Sequence, residues 1–259
     1  MSDKDTVDYL YAAKGRGLQD LATRLDLNTR LGNFDLSNTI RRRLSLQDGM
    51  SLLDVGCGTG KHLSEFRRQT RITVYGVDPS SQKLVDDEIF FQRARAEELP
   101  FRDGVFDRAT CNYAMYYTNR WQEACNEMMR VTKDGGLIVI SGPGIGNNSE
   151  FYGLHRELFG DISDIDKIGL EFLDQKLIPY LVAQGVTFMA ELRGNRVVYP
   201  TAEDFIKYYT STSLFRMTSR ELDPTQMVGT IRRHLSPIYE EGKQFENIKR
   251  VRIVTIIKD

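Results

Sequence analysis

An α/β fold built on an open, parallel sheet is predicted for this 259-residue chain by three observations. An apolar run, Leu52-Leu53-Asp54-Val55, ends in glycines at alternate positions, Gly56, Gly58 and Gly60. A second run, Ile72 to Val77, ends in Asp78-Pro79-Ser80. Segments with helical spacing separate these from further apolar runs at Asp107 to Cys111 and Leu137 to Ser141. Short apolar runs that alternate with helices are buried on both faces of a parallel sheet, which is why they lack a polar side of their own.

Ahead of the first strand, Val7, Leu10 and Tyr11, then Leu18, Leu21 and Leu25, then Ile40 and Leu44 keep helical spacing, with Gly15-Arg16-Gly17 read as a break between helices. Arg41-Arg42-Arg43 spreads around a helix axis and reads as a solvated face. At the first strand, glycine lets backbone N–H groups approach a ligand that a Cβ would push away, and the helix from Lys61 to Gln69 aims its positive dipole end the same way. In the dinucleotide fingerprint G-x-G-x-x-G the third glycine falls where this chain has Lys61. Here it comes one residue early, at Gly60, and Asp54 stands two residues before Gly56.

With that acid in front, the loop resembles the D/E-x-G-x-G-x-G motif of class I S-adenosylmethionine-dependent methyltransferases, and a nicotinamide-dependent oxidoreductase falls to a distant alternative. Three more segments carry the resemblance. Asp78, about twenty residues on, is placed to accept ribose hydroxyls, or else caps the stretch that Ser80 and Ser81 introduce as helical. Arg95-Ala96-Glu97-Glu98-Leu99-Pro100-Phe101 is similar to the family's D-A-x-x-L-P-F. Arg130-Val131-Thr132-Lys133-Asp134-Gly135-Gly136 is similar to R-V-L-K-P-G-G. The resemblance covers roughly residues 50 to 142 and points to the small-molecule, UbiE-like group. It implies a Rossmann-like seven-stranded sheet, mostly parallel with an antiparallel last strand, with helices on both faces and a helical lid or insertion. It also implies S-adenosyl-L-methionine as cofactor, held by Tyr11, Asp54, Gly56, Cys57, Gly58, Gly60, Asp78, Pro79, Ala96, Glu97 and Asn112. One position departs. Arg95 replaces the aspartate that accepts the adenine amino group, and a guanidinium has no acceptor. The amino group then meets Glu97 or stays solvated, while Arg95 stacks on the adenine or points outward.

Composition sets the limits. With 41% hydrophobic and 27% charged residues and a net charge of −1, the chain is an ordinary globular protein that requires no second core and shows no basic bias toward nucleic acid. No run approaches about eighteen apolar residues, so no membrane span and a cytoplasmic enzyme are expected. Cys57, Cys111 and Cys125 lack C-x-x-C spacing, which indicates neither a disulfide framework nor a metal site.

A single methyltransferase domain, residues 1–259, is expected: an N-terminal helical lid (1–48), a cofactor core (49–145), substrate-side helices and an insertion (146–248), and the last strand (249–259). In the lid, Tyr9 or Tyr11 reaches the cofactor's carboxylate or packs on the sheet. After the loop Ser141 to Asn148, helices are expected from Glu150 to Phe159 and from Ile165 to Ala183, then strands from Val186 to Leu192 and Val251 to Ile257. Between these strands, Phe205, Tyr208, Tyr209, Leu214, Phe215 and Met217, with Arg216, Arg220, Arg232, Arg233 and His234, form either a substrate lid that counters an anion or a small core.

Methyl transfer from a sulfonium is an in-line displacement in which orientation supplies most of the acceleration, and a general base serves only an acceptor that must lose a proton. The candidates are His155, Tyr116 and Tyr117, with His234 behind them; His62 is expected to pack or face solvent. His155 is a base near the pocket or a structural histidine, and of Tyr116 and Tyr117 one lines the pocket while the other packs. The expected partner is a small-molecule methyl acceptor, anionic or aromatic, a sugar or specialised natural product methylated at oxygen or nitrogen, and the protein is a monomer or homodimer. A SAM-binding regulatory subunit without turnover is the alternative.

Overall fold

The computed structural model describes residues 14–80, 84–161 and 170–259. In chain order these hold α1 (Lys14–Arg30), α2 (Leu36–Arg43), β1 (Ser51–Val55), α3 (Lys61–Gln69), β2 (Thr73–Asp78), β3 (Phe90–Arg93), β4 (Phe106–Asn112), a 3-10 turn (Met115–Tyr117), α4 (Trp121–Val131) and β5 (Thr132–Pro143). There follow α5 (Ser149–Phe159), a π turn (Leu173–Leu177), α6 (Ile178–Ala183), β6 (Phe188–Tyr199), α7 (Ala202–Thr210), α8 (Ser213–Thr218), α9 (Pro224–Glu240) and β7 (Phe245–Ile257).

The seven strands run in the order β3-β2-β1-β4-β5-β7-β6. β1 pairs in parallel with β2 and β4, β2 with β3, and β4 with β5, whereas β7 lies antiparallel to β5. The expected sheet is therefore present, and the order turns back between β1 and β4. In open α/β sheets ligands bind outside the strand carboxyl ends at such a point.

The chain forms two compact units. One comprises residues 35–145, 171–193 and 251–259, the other residues up to 34, 146–170 and 194–250. The core of the first is Leu53, Val55, Val77, Ala109, Cys111, Ile138, Ile140, Val254 and Ile256 of the sheet beneath Ala124, Cys125, Met128 and Val131 of α4. Those four recur at intervals that keep them on one helical face. The second unit has a core of its own, in which Phe151 and Leu154 of α5, Val197 and Tyr199 of β6, Phe205, Ile206, Tyr208 and Tyr209 of α7, and Met227, Ile231 and Leu235 of α9 pack together. Composition alone called for no second core. The insertion's helices are well specified locally: Thr201 caps α7 through the Asp204 N–H at 3.1 Å, and Asp223 caps α9 through the Gln226 N–H at 2.8 Å, with Pro224 in the first turn.

Several boundaries differ from the sequence expectation. The backbone of α1 is helical through Gly15 and Gly17, so no break occurs there. β6 continues from Leu192 to Tyr199 and β7 begins at Phe245, because the polar residues of these extensions alternate across half-exposed strand faces that an apolar run does not reveal. No helix follows Ser80 among the described residues 84–89. Of the helix expected from Ile165 to Ala183, residues 165–169 lie outside the described residues; the described part is helical from Phe172, after Glu171 in left-handed backbone at φ +64°, and includes the π turn.

Candidate cofactor site

At the carboxyl end of β1 the chain turns through three glycines in left-handed backbone, Gly56 at φ +78°, Gly58 at +55° and Gly60 at +75°. Each is glycine for a different reason. A Cβ on Gly56 would overlap the Ala114 methyl group, and one on Gly60 would meet Ile89 Cδ1 at 2.6 Å. A Cβ on Gly58 would meet no atom of the described residues within 4 Å. Packing explains the first two; at Gly58 the loop borders open space.

Four of the loop's N–H groups are engaged within the protein. Those of Gly56 and Cys57 donate to the Val77 carbonyl at 2.7 and 3.0 Å, that of Gly60 to the Cys57 carbonyl at 2.9 Å, and that of Gly58 to Asp78 Oδ2 at 3.1 Å. They fix the turn against β2.

Asp78 is thus both a loop organiser and a candidate ligand. It is buried, and its Oδ1 accepts the Ser80 N–H at 2.9 Å and the Ser80 hydroxyl. This is an Asx turn, and Asp-Pro-Ser is its sequence signature. The Pro79 carbonyl accepts from Arg93 Nε at 3.0 Å. Asp54, one strand away, has the opposite environment. It is 2% exposed and its Oδ1 has no hydrogen-bond partner. Burial first, and then the Asp78 charge, push its carboxyl up to about 8.

Residues 53–140 match the family described as methyltransferase domain. Over 126 residues the chain is 32% identical to the malonyl-[acyl-carrier protein] O-methyltransferase of Buchnera aphidicola, covering 47% of this chain and 51% of that one. Over 153 residues it is 31% identical to the ubiquinone/menaquinone biosynthesis C-methyltransferase UbiE of a Geobacter species, covering 51% and 65%. It therefore spans about half to two thirds of these relatives' length. Its fold is similar to that of a putative methyltransferase from an antibiotic biosynthesis pathway of Anabaena variabilis, with TM-score 0.63, 18% identity, and 88% and 99% of the two chains covered. Residues 53–140 form a class I S-adenosylmethionine-dependent methyltransferase domain.

In that methyltransferase domain the departing Arg95 has a local partner. Arg95 Nη2 lies 3.4 Å from Glu97 Oε1, which also accepts the Thr118 hydroxyl. The Arg95 side chain is two-thirds exposed and the Glu97 side chain is buried, so the arginine points outward and leans back on the acid. Burial raises the Glu97 carboxyl, but Thr118, a backbone N–H and Arg95 together bring it below its ordinary value. Sequence reasoning missed Thr118, whose role no motif announces. Ala96 packs on the sheet core. The Asn112 amide donates to Thr110 Oγ1 at 3.0 Å and accepts from Ser141 Oγ at 2.8 Å, tying β4 to β5. Beside it Tyr113 is left-handed at φ +54°, a conformation costly for a bulky residue.

Tyr116 packs on the core within 6.4 Å of Phe172, centroid to centroid, while Tyr117 lies on it at 4.4 Å and is absent from that core. Burial raises the Tyr116 phenol well above its ordinary range, which makes it a poor base. His62 packs, with Nδ1 2.8 Å from the Ser37 hydroxyl and its ring stacked on Phe66. The cysteines are buried free thiols.

The remaining base candidates sit in the other unit. His155 is 2% exposed, with Nδ1 2.7 Å from the Tyr209 hydroxyl and Phe159 alongside, and burial lowers its imidazole to about 4. His234 lies 3.8 Å from Glu157. The insertion's Phe205, Tyr208, Tyr209 and Leu214 belong to that unit's core, the second of the two readings. Arg216 pairs with Asp20 at 2.5 Å and Arg232 with Glu203 at 2.7 Å, so both charges are countered within the unit. Tyr9 and Tyr11 lie outside the described residues. Among the described residues no helix is long and apolar enough to cross a membrane, and no group of three His, Cys, Asp or Glu is placed to hold a metal.

Proposed function

We propose that this chain moves a methyl group from S-adenosylmethionine to an oxygen or nitrogen of a small metabolite, a sugar or specialised natural product, by in-line displacement. The observation that carries this reading is the loop from Asp54 to Gly60, where no atom of the described residues fills the space of Gly58's missing Cβ and the buried Asp54 Oδ1 lacks a partner among them. These two features fit a ligand that presses on bare backbone and brings a cationic group. When bound, the cofactor supplies a methyl group made electrophilic by its sulfonium.

The chain's residues then divide the work. Asp78 keeps lone pairs beyond its bonds to Gly58 and Ser80, and these would take ribose hydroxyls. Asp54 would take the ammonium of the methionine half. Pro79, Ala96, Glu97 and Asn112 would line the adenine side, with Glu97 held in place by Thr118 and Arg95. Tyr117 would face the acceptor, and Tyr116 would back it. We assign His155 to packing, supported by its burial and its bond to Tyr209, so that orientation rather than a histidine base drives transfer.

The relatives act on an acyl-carrier-bound acid at oxygen and in quinone biosynthesis at carbon, so the acceptor search should admit all three atoms. The test is transfer of labelled methyl from the cofactor to components of metabolite extracts, with the product identified by mass. A labelled small product supports the reading; cofactor binding by calorimetry with no labelled product from any extract would favour a binding subunit without turnover.

A further inference from the structure

The two acids of the site are both buried, yet they are provided for unequally. Asp78 receives the Gly58 N–H, the Ser80 N–H and the Ser80 hydroxyl, three donors to hold a negative charge. Asp54 is 2% exposed, and its Oδ1 receives none. The ionisable groups that act on it from the packed elements are Asp78 at the end of β2, Cys57 in the loop and Cys111 in β4. None is a cation, and both thiols are themselves pushed up by burial. Two negative charges in a buried site with no counter-cation among the described residues is an arrangement that a proton relieves.

We infer that Asp54 holds a proton in the free protein and releases it to solvent when the cofactor's ammonium group enters, so that cofactor binding expels one proton. This rests on the cofactor assignment above and adds a linkage to it. In the free state the carboxyl is neutral, which spares the unpartnered oxygen the cost of a buried charge. The arriving cation supplies the missing partner, the O–H bond breaks, and the carboxylate pairs with the ammonium while the proton passes to buffer. The carboxyl's rise to about 8 when it faces Asp78 alone agrees with this geometry and places the exchange near neutral pH.

The experiment is calorimetric titration of the full chain with S-adenosylhomocysteine at pH 7 in buffers of different ionisation enthalpy, where the slope of observed enthalpy counts protons. The expected result is release approaching one proton per ligand, and a wild-type affinity that rises up to tenfold per pH unit between pH 6 and 8. Asp54→Asn should bind more weakly and release none. Binding with zero slope in the wild type, or full release retained in Asp54→Asn, would overturn the inference while leaving the cofactor reading intact. Should Asp54→Asn fail to fold, the wild-type proton count and pH profile still decide. Absence of binding at millimolar ligand would overturn the cofactor reading, and the inference with it.

Discussion

Gly58→Ala distinguishes a ligand loop from a turn that is merely tight. Alanine at φ +55° costs about 1–2 kcal/mol for adopting the left-handed conformation. No clash with the described residues adds to this, because none of their atoms lies within 4 Å of the new Cβ. Gly49 provides the matched control, left-handed at φ +85° with equally open surroundings, but in the turn before β1 rather than after it. Denaturant unfolding should therefore show both variants losing a similar 1–2 kcal/mol. Their affinities should part. The methyl group of Gly58→Ala projects into the space assigned to the ligand, so calorimetry should show S-adenosylhomocysteine binding weakened at least tenfold, about 1.4 kcal/mol, with Gly49→Ala unchanged. Gly56→Ala is the third case: it overlaps Ala114 and should lose more stability than either. Equal affinities for Gly58→Ala and wild type would refute the assignment of that open space to a ligand.

Three further outcomes follow from the same geometry. Asp78→Ala should weaken cofactor binding by more than the roughly 1–3 kcal/mol of a lost ribose contact, since it also frees Gly58 and Ser80; unchanged affinity would remove Asp78 from the site. Asp54 and His155 should tilt stability against pH in opposite directions. With Asp54 raised to about 8 the folded state keeps a proton that the unfolded chain loses, so stability falls as pH climbs from about 4 to 8, by at most about 6 kcal/mol, and Asp54→Asn should flatten that limb in urea unfolding. With His155 lowered to about 4 the folded state refuses a proton that the unfolded chain accepts, so stability falls as pH drops from about 6.5 to 4, by at most about 3 kcal/mol. His155→Gln should lose that acid limb and keep near-normal turnover; an unaltered acid slope, or a hundredfold drop in rate, would return the histidine to catalysis.

Sequence and structure agree most closely where local rules act alone. The run Leu52 to Gly60 has to be a buried strand ending in glycines, and α3 begins at Lys61 and ends at Gln69 as its spacing requires. Asp78 was legible as a candidate acid because it ends a strand, but its bond to Gly58 joins β2 to the loop after β1 and leaves no local trace. The same holds for Asp54, whose unpartnered oxygen depends on what the neighbouring strands fail to supply. For His155 the position after a flexible loop suggested a pocket, and the hydrogen bond to Tyr209, far along the chain, left no local trace either. Phe205, Tyr208 and Tyr209 did carry a signal, helical spacing of large apolar side chains, and it marked a second core.

The cysteine within the glycine loop has a protective consequence. Cys57 is buried beside Asp54 and Asp78, and burial followed by their charges raises its thiol far above the ordinary range. Only the thiolate is a competent nucleophile toward an alkylating agent. A loop that carries sulfur next to a methyl donor would be open to methylating itself; burial first, and then the charges of the two acids assigned to that donor, keep the sulfur silent.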